Sequence, residues 1–272
     1  MTGRVSGGKR HRIGVLALVL GLFSAPGAGE LRVGVFGQDP PLSFIDERGE
    51  LAGFDIDIAR ALCAQTRFQC ELVPTDWAAL LPALQERKLD AVVASVSITD
   101  ERRRRVSFTR PYYHTPVRFV ARAGSIGQVS PAALAGRRIG VWRATTMDRY
   151  LTDNYAGQAE IIRYSTQSGA LLDLVLGRLD LVLGEQLTLD ENFLGTEHGA
   201  GFAFVGPVID DPAWFGYGNA VAVASHNRGL RELFDRAIAD IHVNGVFDRI
   251  QSRWFGDDAP DLARDPPRRV EE

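Results

Sequence analysis

Apolar and polar positions along the chain follow two different periods. Leu31-Arg32-Val33-Gly34-Val35 is a short β-rich run stopped by Gly37, Pro40 and Pro41, and predicts a first strand. From Asp55 to Thr66, the residues Ile56, Ile58, Ala59, Ala61 and Leu62 fall mostly on one helical face, and Trp77 to Lys88 does the same with Leu80, Leu81 and Leu84. Both segments read as helices packed on a sheet. Lys88 to Ala94 then reads as a buried strand, and strand, helix, strand in this order imply a parallel sheet with right-handed crossovers.

The arrangement recurs. Arg138-Ile139-Gly140-Val141 echoes Arg32-Val33-Gly34-Val35 at an offset of 106 residues, and Arg178-Leu179-Asp180-Leu181-Val182-Leu183 echoes Lys88-Leu89-Asp90-Ala91-Val92-Val93 at an offset of 90. A drifting offset fits two related α/β lobes with different loops better than a tandem repeat. The extended runs around Val117–Val120 and Phe215–Val223 are expected to carry the chain between them, so the expected fold is α/β with two Rossmann-like lobes joined by a two-strand hinge. Lobe one is expected over 30–117 plus 219–256, lobe two over 122–214, and the hinge at 118–121 and 215–218. One long helix, Leu230 to Trp254, is expected to return to lobe one, followed by a disordered tail over 257–272, where aromatics give way to Asp, Pro and Arg.

Charge changes the picture at the start of the chain. Arg4, Lys9, Arg10 and Arg12 precede the first acid, Glu30, so removing residues 1–29 takes the net charge from −3 to −7. Behind those cations lie the apolar run Ile13–Phe23 and the small residues Ser24-Ala25-Pro26-Gly27-Ala28-Gly29, the three parts of a secretory signal peptide with cleavage after Gly27, Ala28 or Gly29. The alternative is an uncleaved membrane anchor, although an eleven-residue run covers only about half of a ~30 Å hydrocarbon core. An acidic balance also argues against nucleic acid as a partner. In an exported chain the two cysteines, Cys63 and Cys70, are free to pair as a disulfide, the alternative being two separate buried thiols. The five histidines are scattered without paired-ligand spacing, so no metal site and no cofactor are expected.

In open parallel sheets, ligands bind beyond the carboxyl ends of the strands. Gln38 and Asp39 follow the first predicted strand, Ser95, Ser97, Thr99 and Arg102 the second, Thr145 and Thr146 the third, and Glu185 the fourth. Arg102 offers a planar fork for a carboxylate, the two threonines open a helix whose free N–H groups favour an anion, and Glu185 suits an ammonium. An anion site beside a cation site describes a free amino acid. Taken singly, each residue also has a plain structural role: Arg102 in a solvated run of four arginines, Ser95 and Ser97 ending a strand, Thr145 capping a helix, Trp77 and Trp142 in the core.

Gly49-Glu50-Leu51-Ala52-Gly53-Phe54-Asp55-Ile56-Asp57, Ser95-Val96-Ser97-Ile98-Thr99-Asp100-Glu101-Arg102, Phe108-Thr109 and Gly140-Val141-Trp142-Arg143-Ala144-Thr145-Thr146 together resemble the periplasmic binding proteins for polar amino acids that serve ABC importers, the lysine/arginine/ornithine and histidine binders above all. The resemblance spans about residues 31–256, and the Cys63–Cys70 spacing is similar too. It implies a type II periplasmic binding fold and a monomer that passes its amino acid to an inner-membrane permease. Arg102 is implied to pair with the α-carboxylate, helped by Ser97 and by Thr146 with its backbone; Ser95 and Glu185 are implied to meet the α-ammonium, with Trp77 and Trp142 as apolar walls. Four positions depart from the pattern: Glu185 stands where an Asp is usual, Asp39 where a stacking aromatic is common, and Ala94 and Met147 where the closest relatives have polar groups.

The leading expectation is therefore a receptor that binds without turnover and prefers basic or strongly hydrogen-bonding amino acids over acidic ones, because Asp39 and Glu185 outnumber Arg102, with Asp39 facing the ligand's distal group; the alternative is that Asp39 points to solvent at the cleft rim and selects nothing. Two other classes stand beside it: an exported enzyme on the same scaffold, resembling cyclohexadienyl dehydratases, and a ligand-sensing partner of a signalling receptor. The enzyme would need a catalytic carboxylate near Glu185, and Thr188 occupies the position three residues on.

Overall fold

The computed structural model describes residues 1–3, 30–66, 68–257 and 262. The expected signal peptide lies outside the described residues apart from 1–3, and so does the expected tail apart from Asp257 and Leu262. Leu262 is buried in a core cluster with Phe54, Phe247 and Phe255, its N–H donating to Gln251 and its carbonyl accepting from His114 N–H, so at this position the chain is anchored.

In chain order, the first group of elements is β1 (Glu30–Val35), β2 (Gln38–Asp39), β3 (Ser43–Ile45), β4 (Leu51–Ala52), α1 (Phe54–Thr66), β5 (Gln69–Pro74), α2 (Trp77–Gln85), β6 (Ala91–Ser97), α3 (Asp100–Arg103) and β7 (Ser107–Tyr113). The second is β8 (Val117–Arg122), β9 (Arg138–Trp142), α4 (Thr146–Tyr155), β10 (Glu160–Tyr164), α5 (Gln167–Val175), β11 (Leu181–Glu185), α6 (Gln186–Leu189), β12 (Phe202–Ile209) and α7 (Pro212–Phe215). The chain ends on β13 (Asn219–Val223), α8 (Arg228–Val243) and α9 (Val246–Phe255). One sheet runs β5-β1-β6-β13-β7 and another β10-β9-β11-β8-β12, while β2, β3 and β4 form a small third sheet. β1 is parallel to β5 and β6, and β9 is parallel to β10 and β11. β13 and β8 enter antiparallel, each delivered to its sheet by a passage from the other, so the sheets are mixed rather than wholly parallel.

The internal echo is physical. The Asp90 carboxylate accepts from Arg32 N–H at 2.9 Å and Asp180 from Arg138 N–H at 2.8 Å, while the guanidinium of Arg32 reaches the carbonyl of Arg87 and that of Arg138 the carbonyl of Gly177. Each Arg-Asp pair fastens the start of an inner parallel strand, β1 or β9, to the turn before the neighbouring strand, β6 or β11. A Cβ at Gly34 would lie 2.5 Å from Leu89, and one at Gly140 would lie 2.3 Å from Leu179, so both strands need glycine where the turn leucine packs down.

Several boundaries differ from expectation for identifiable reasons. The expected helix 230–254 is two helices, because Gly245 is left-handed (φ 69°) and Asn244 Oδ1 accepts from Val246 N–H, an Asn-Gly turn within an amphipathic pattern. The expected run 215–223 pairs as a strand only from Asn219; Phe215 ends α7, and Gly216 and Gly218 have positive φ. Residues 118–121 do not form a passage between the sheets. They are paired with β11 and β12, and Val117 with them, so the first passage is His114–Pro116, where Pro116 has no N–H to offer a ladder. The second passage lies at Gly216–Gly218, within the expected 215–218.

Cys63 at the end of α1 and Cys70 at the start of β5 are joined as a disulfide with Cα atoms 6.1 Å apart. It sits at the opposite end of β5 from the strand ends where ligands are expected. Reduction is accordingly expected to lower stability by about 2.5 kcal/mol while leaving ligand affinity within a factor of two, a short loop giving only modest chain-entropy stabilisation. Thermal melting and titration calorimetry with and without reductant check this, and two reactive thiols in the unreduced, denatured protein would contradict it.

Candidate functional site

Nine of the eleven residues singled out from the sequence line one cavity between the two large sheets: Asp39, Trp77, Ser95, Ser97, Arg102, Trp142, Thr145, Thr146 and Glu185; Gln38 is exposed and Thr99 caps a helix beside it, and neither is part of the lining. Ala94, Met147, Gln167 and Thr188 complete the cavity. Each large sheet contributes the carboxyl ends of its strands.

Local structure explains the placement. Thr99 caps α3 by accepting from Arg102 N–H at 3.2 Å, and Arg102 donates through Nη1 to Ser97 O at 3.0 Å. Its guanidinium carbon lies 5.5 Å from the Trp77 ring centroid. One arm is thus tied to the strand end and the ring flattens the other face, leaving the remaining guanidinium nitrogens for an acceptor. Opposite, the Thr145 hydroxyl donates to Trp142 O at 2.6 Å and accepts from Asp148 N–H, which caps α4 and leaves the first-turn N–H groups at Thr146 and Met147 directed to the cavity end of the helix. Guanidinium and helix N-terminus together place positive charge and free N–H donors at this end of the cavity.

Among the described residues, two of the three non-glycine residues with positive φ are here, Ser95 (φ 52°) and Ala144 (φ 59°). Strain of this kind costs of order 1–3 kcal/mol and persists where the surroundings hold it. Ser95 lies within β6 rather than after it, where the pairing with β13 slips its register, so Ala94 and Ser95 face the cavity from a distorted strand. Ala144 turns its carbonyl to accept from Trp77 Nε1–H at 3.1 Å, a bond from one sheet's side of the cavity to the other. Trp142 stacks against Phe36 and Trp77 with centroids at 4.8 and 5.0 Å, and Arg149 on α4 pairs with Glu101 on α3 at 3.1 Å.

The acidic side of the cavity is buried and short of cations. Burial, then repulsion from Asp55, pushes the Glu185 carboxyl up to about 7, even though Tyr113 OH donates to it at 3.4 Å. Asp39, 8% exposed, is held well above the usual carboxylate range by burial and then by Glu185 and Asp55. Burial lowers Arg102 to about 10, which leaves it cationic at neutral pH. Asp39 therefore faces the cavity and not open solvent.

Gln167 escaped the sequence reading. It opens α5 behind Thr166 and lies against Gly184, whose missing side chain makes room for it, and its Nε2, like Trp142 Nε1, is buried without a hydrogen-bond partner among the described residues. A buried donor left in this way favours a polar occupant. The available signal was the Thr166-Gln167-Ser168-Gly169 cap opening a helix directly after a strand. Among the described residues no cluster of His, Cys, Asp and Glu is placed to hold a metal ion.

The chain is 41% identical over 248 residues to the L-arginine-binding protein of Pseudomonas aeruginosa, covering 90% of this chain and 96% of that one. It is 30% identical to the lysine/arginine/ornithine-binding periplasmic protein of Escherichia coli, covering 88% and 95%. Among solved structures, an ancestral arginine-binding protein bound to arginine superposes with a TM-score of 0.76 at 30% identity, over 85% of this chain and all of that one. Residues 31–257 match the bacterial extracellular solute-binding proteins, family 3. Two sheets of like topology, a charged cavity at their facing strand ends and this match together make the chain a solute-binding protein of that family.

Proposed function

We propose that the protein is a periplasmic receptor that captures a basic amino acid, arginine first, and delivers it to the permease of an ABC importer. The observation that carries this reading is the charge in the cavity: one guanidinium, Arg102, against two acidic side chains, buried Asp39 and half-buried Glu185. An amino acid's α-carboxylate offsets Arg102 and its α-ammonium offsets Glu185. Asp39 then remains a buried carboxyl without a cationic partner, held toward its protonated form, and a second cation on the ligand lets it ionise and pair. The names of the relatives agree with this.

Lobes of 30–113 plus 219–255 and of 117–215 would part about His114–Pro116 and Gly216–Gly218 and close over the ligand through the Trp77–Ala144 and Arg149–Glu101 contacts. Turnover is not expected. Thr188, where an enzyme on this scaffold would need a carboxylate, is buried and donates its hydroxyl to Glu185 O at 3.1 Å.

Titration calorimetry with arginine, ornithine, histidine, glutamine and glutamate tests the reading on wild type and Asp39→Asn. Arginine or ornithine is expected to bind tightest and glutamate weakest, and Asp39→Asn is expected to cost basic ligands about tenfold and glutamine little. The radius of gyration should fall with the best ligand. Preferential glutamate binding would defeat the charge argument, and an unaltered ranking in Asp39→Asn would remove Asp39 from recognition.

A further inference from the structure

Asp55 opens α1, is buried to 1% exposure and lies outside the lining of the cavity. Its Oδ2 accepts from the Ser95 hydroxyl at 2.6 Å and its Oδ1 from the Tyr112 hydroxyl at 2.7 Å, while the Ser95 backbone N–H donates to Tyr112 Oη at 3.1 Å. Ser95 is thus gripped at both of its donors by a pair of side chains behind the strand. This grip is what holds a non-glycine residue at φ 52°.

The proton inventory gives the grip a direction. A serine hydroxyl has one proton, and here it is committed to Asp55, so toward the cavity Ser95 Oγ presents lone pairs only. It accepts from an ammonium and has nothing to donate to a carboxylate. We infer that Asp55, steadied by Tyr112, is a positioning residue for ligand recognition: by claiming the Ser95 proton it turns Ser95 into an acceptor that reads the ligand's α-ammonium. This rests on the proposal that Ser95 and Glu185 face that group. Asp55 also adds a negative charge directly behind the acceptor, and its burial pushes its carboxyl up to about 6, which leaves it ionised at neutral pH.

The test is a pair of probes that differ only in the ammonium, L-arginine and 5-guanidinopentanoate, titrated into wild type, Asp55→Asn, Tyr112→Phe and Ser95→Ala at neutral pH. Wild type should prefer arginine. Asp55→Asn, whose amide donates to Ser95 Oγ and returns the serine proton to the cavity, should lose about tenfold for arginine and little for the des-amino probe. Tyr112→Phe should shift the ratio the same way by less, and adding Asp55→Asn to Ser95→Ala should change it no further. Equal weakening of both probes, or an unchanged ratio in the variants that fold, overturns the positioning role while leaving the ammonium site standing. A wild type indifferent to the ammonium, or binding neither probe, overturns the underlying reading and the inference with it.

Discussion

Arg102→Ala should leave the protein folded and weaken amino-acid binding by at least about 2 kcal/mol, some 30-fold. Arg102 is half-buried, anchored by one nitrogen to Ser97 O and flattened against Trp77, so its free donors are fixed before a ligand arrives. Little conformational entropy then remains to be lost on binding, and removing the fork leaves a carboxylate facing only the first turn of α4 and Ser97. Folding tolerates the change because a short helix end loses one bond to a carbonyl, an effect of about 1 kcal/mol. Arg102→Lys should fall between the two, since it keeps the charge and loses the planar pair of donors. Calorimetry on the best ligand of the panel decides it. Affinity unchanged in Arg102→Ala would return the residue to a solvated arginine run, and a collapse of the melting temperature would make it structural.

The strand-end logic was legible because it needs only the order of elements. Asp39, Arg102, Thr145 and Glu185 each follow a hydrophobic run in a chain whose runs alternate with helices, and the second appearance of Arg-x-Gly and Leu-Asp showed that the arrangement occurs twice. The same repeated residues form the same bonds in both sheets. What was not legible depends on partners distant in sequence. Val117–Val120 has the composition of any strand, and nothing in it says that β11 and β12 will claim it, which is why the passage between sheets was displaced to Pro116. Asp55 sat in plain view within a helix start, where an acidic first turn is ordinary. Its bonds to Ser95 and Tyr112 span 40 and 57 residues. Leu262 was hidden by its polar neighbours, since a single apolar residue in a Pro- and Asp-rich stretch carries no periodicity.

Ligand affinity should fall on acidification, and the fall should pass through Glu185. In the empty cavity burial and the neighbouring Asp55 raise Glu185 from the usual 4.5 to about 7, and Asp39 is raised well above its usual 3.8. A cation placed beside either carboxylate favours the ionised form, so each has a lower pKa in the complex than in the free protein. Binding therefore releases protons at any pH below the free-state value. The contribution of Glu185 to affinity is fully present above about 7 and is lost as the pH falls below it, by up to about tenfold per pH unit until the pKa of the complex is reached. Stability of the free protein runs the other way. For Glu185, with its folded pKa above its unfolded one, the native state holds more protons between about 4.5 and 7, so the ligand-free melting temperature should rise as pH falls through that window. Asp55, raised to about 6, adds to the same trend. Melting curves of free and ligand-saturated protein from pH 8 to 5 should converge, the free form gaining and the ligand's stabilisation shrinking. Glu185→Gln removes the titrating group at nearly constant shape and should flatten both trends at the cost of weaker binding at pH 8. Affinity for arginine that stays level from pH 8 to 5.5, or a pH dependence fully retained in Glu185→Gln, would show that Glu185 is not the carboxylate that meets the ligand's cation.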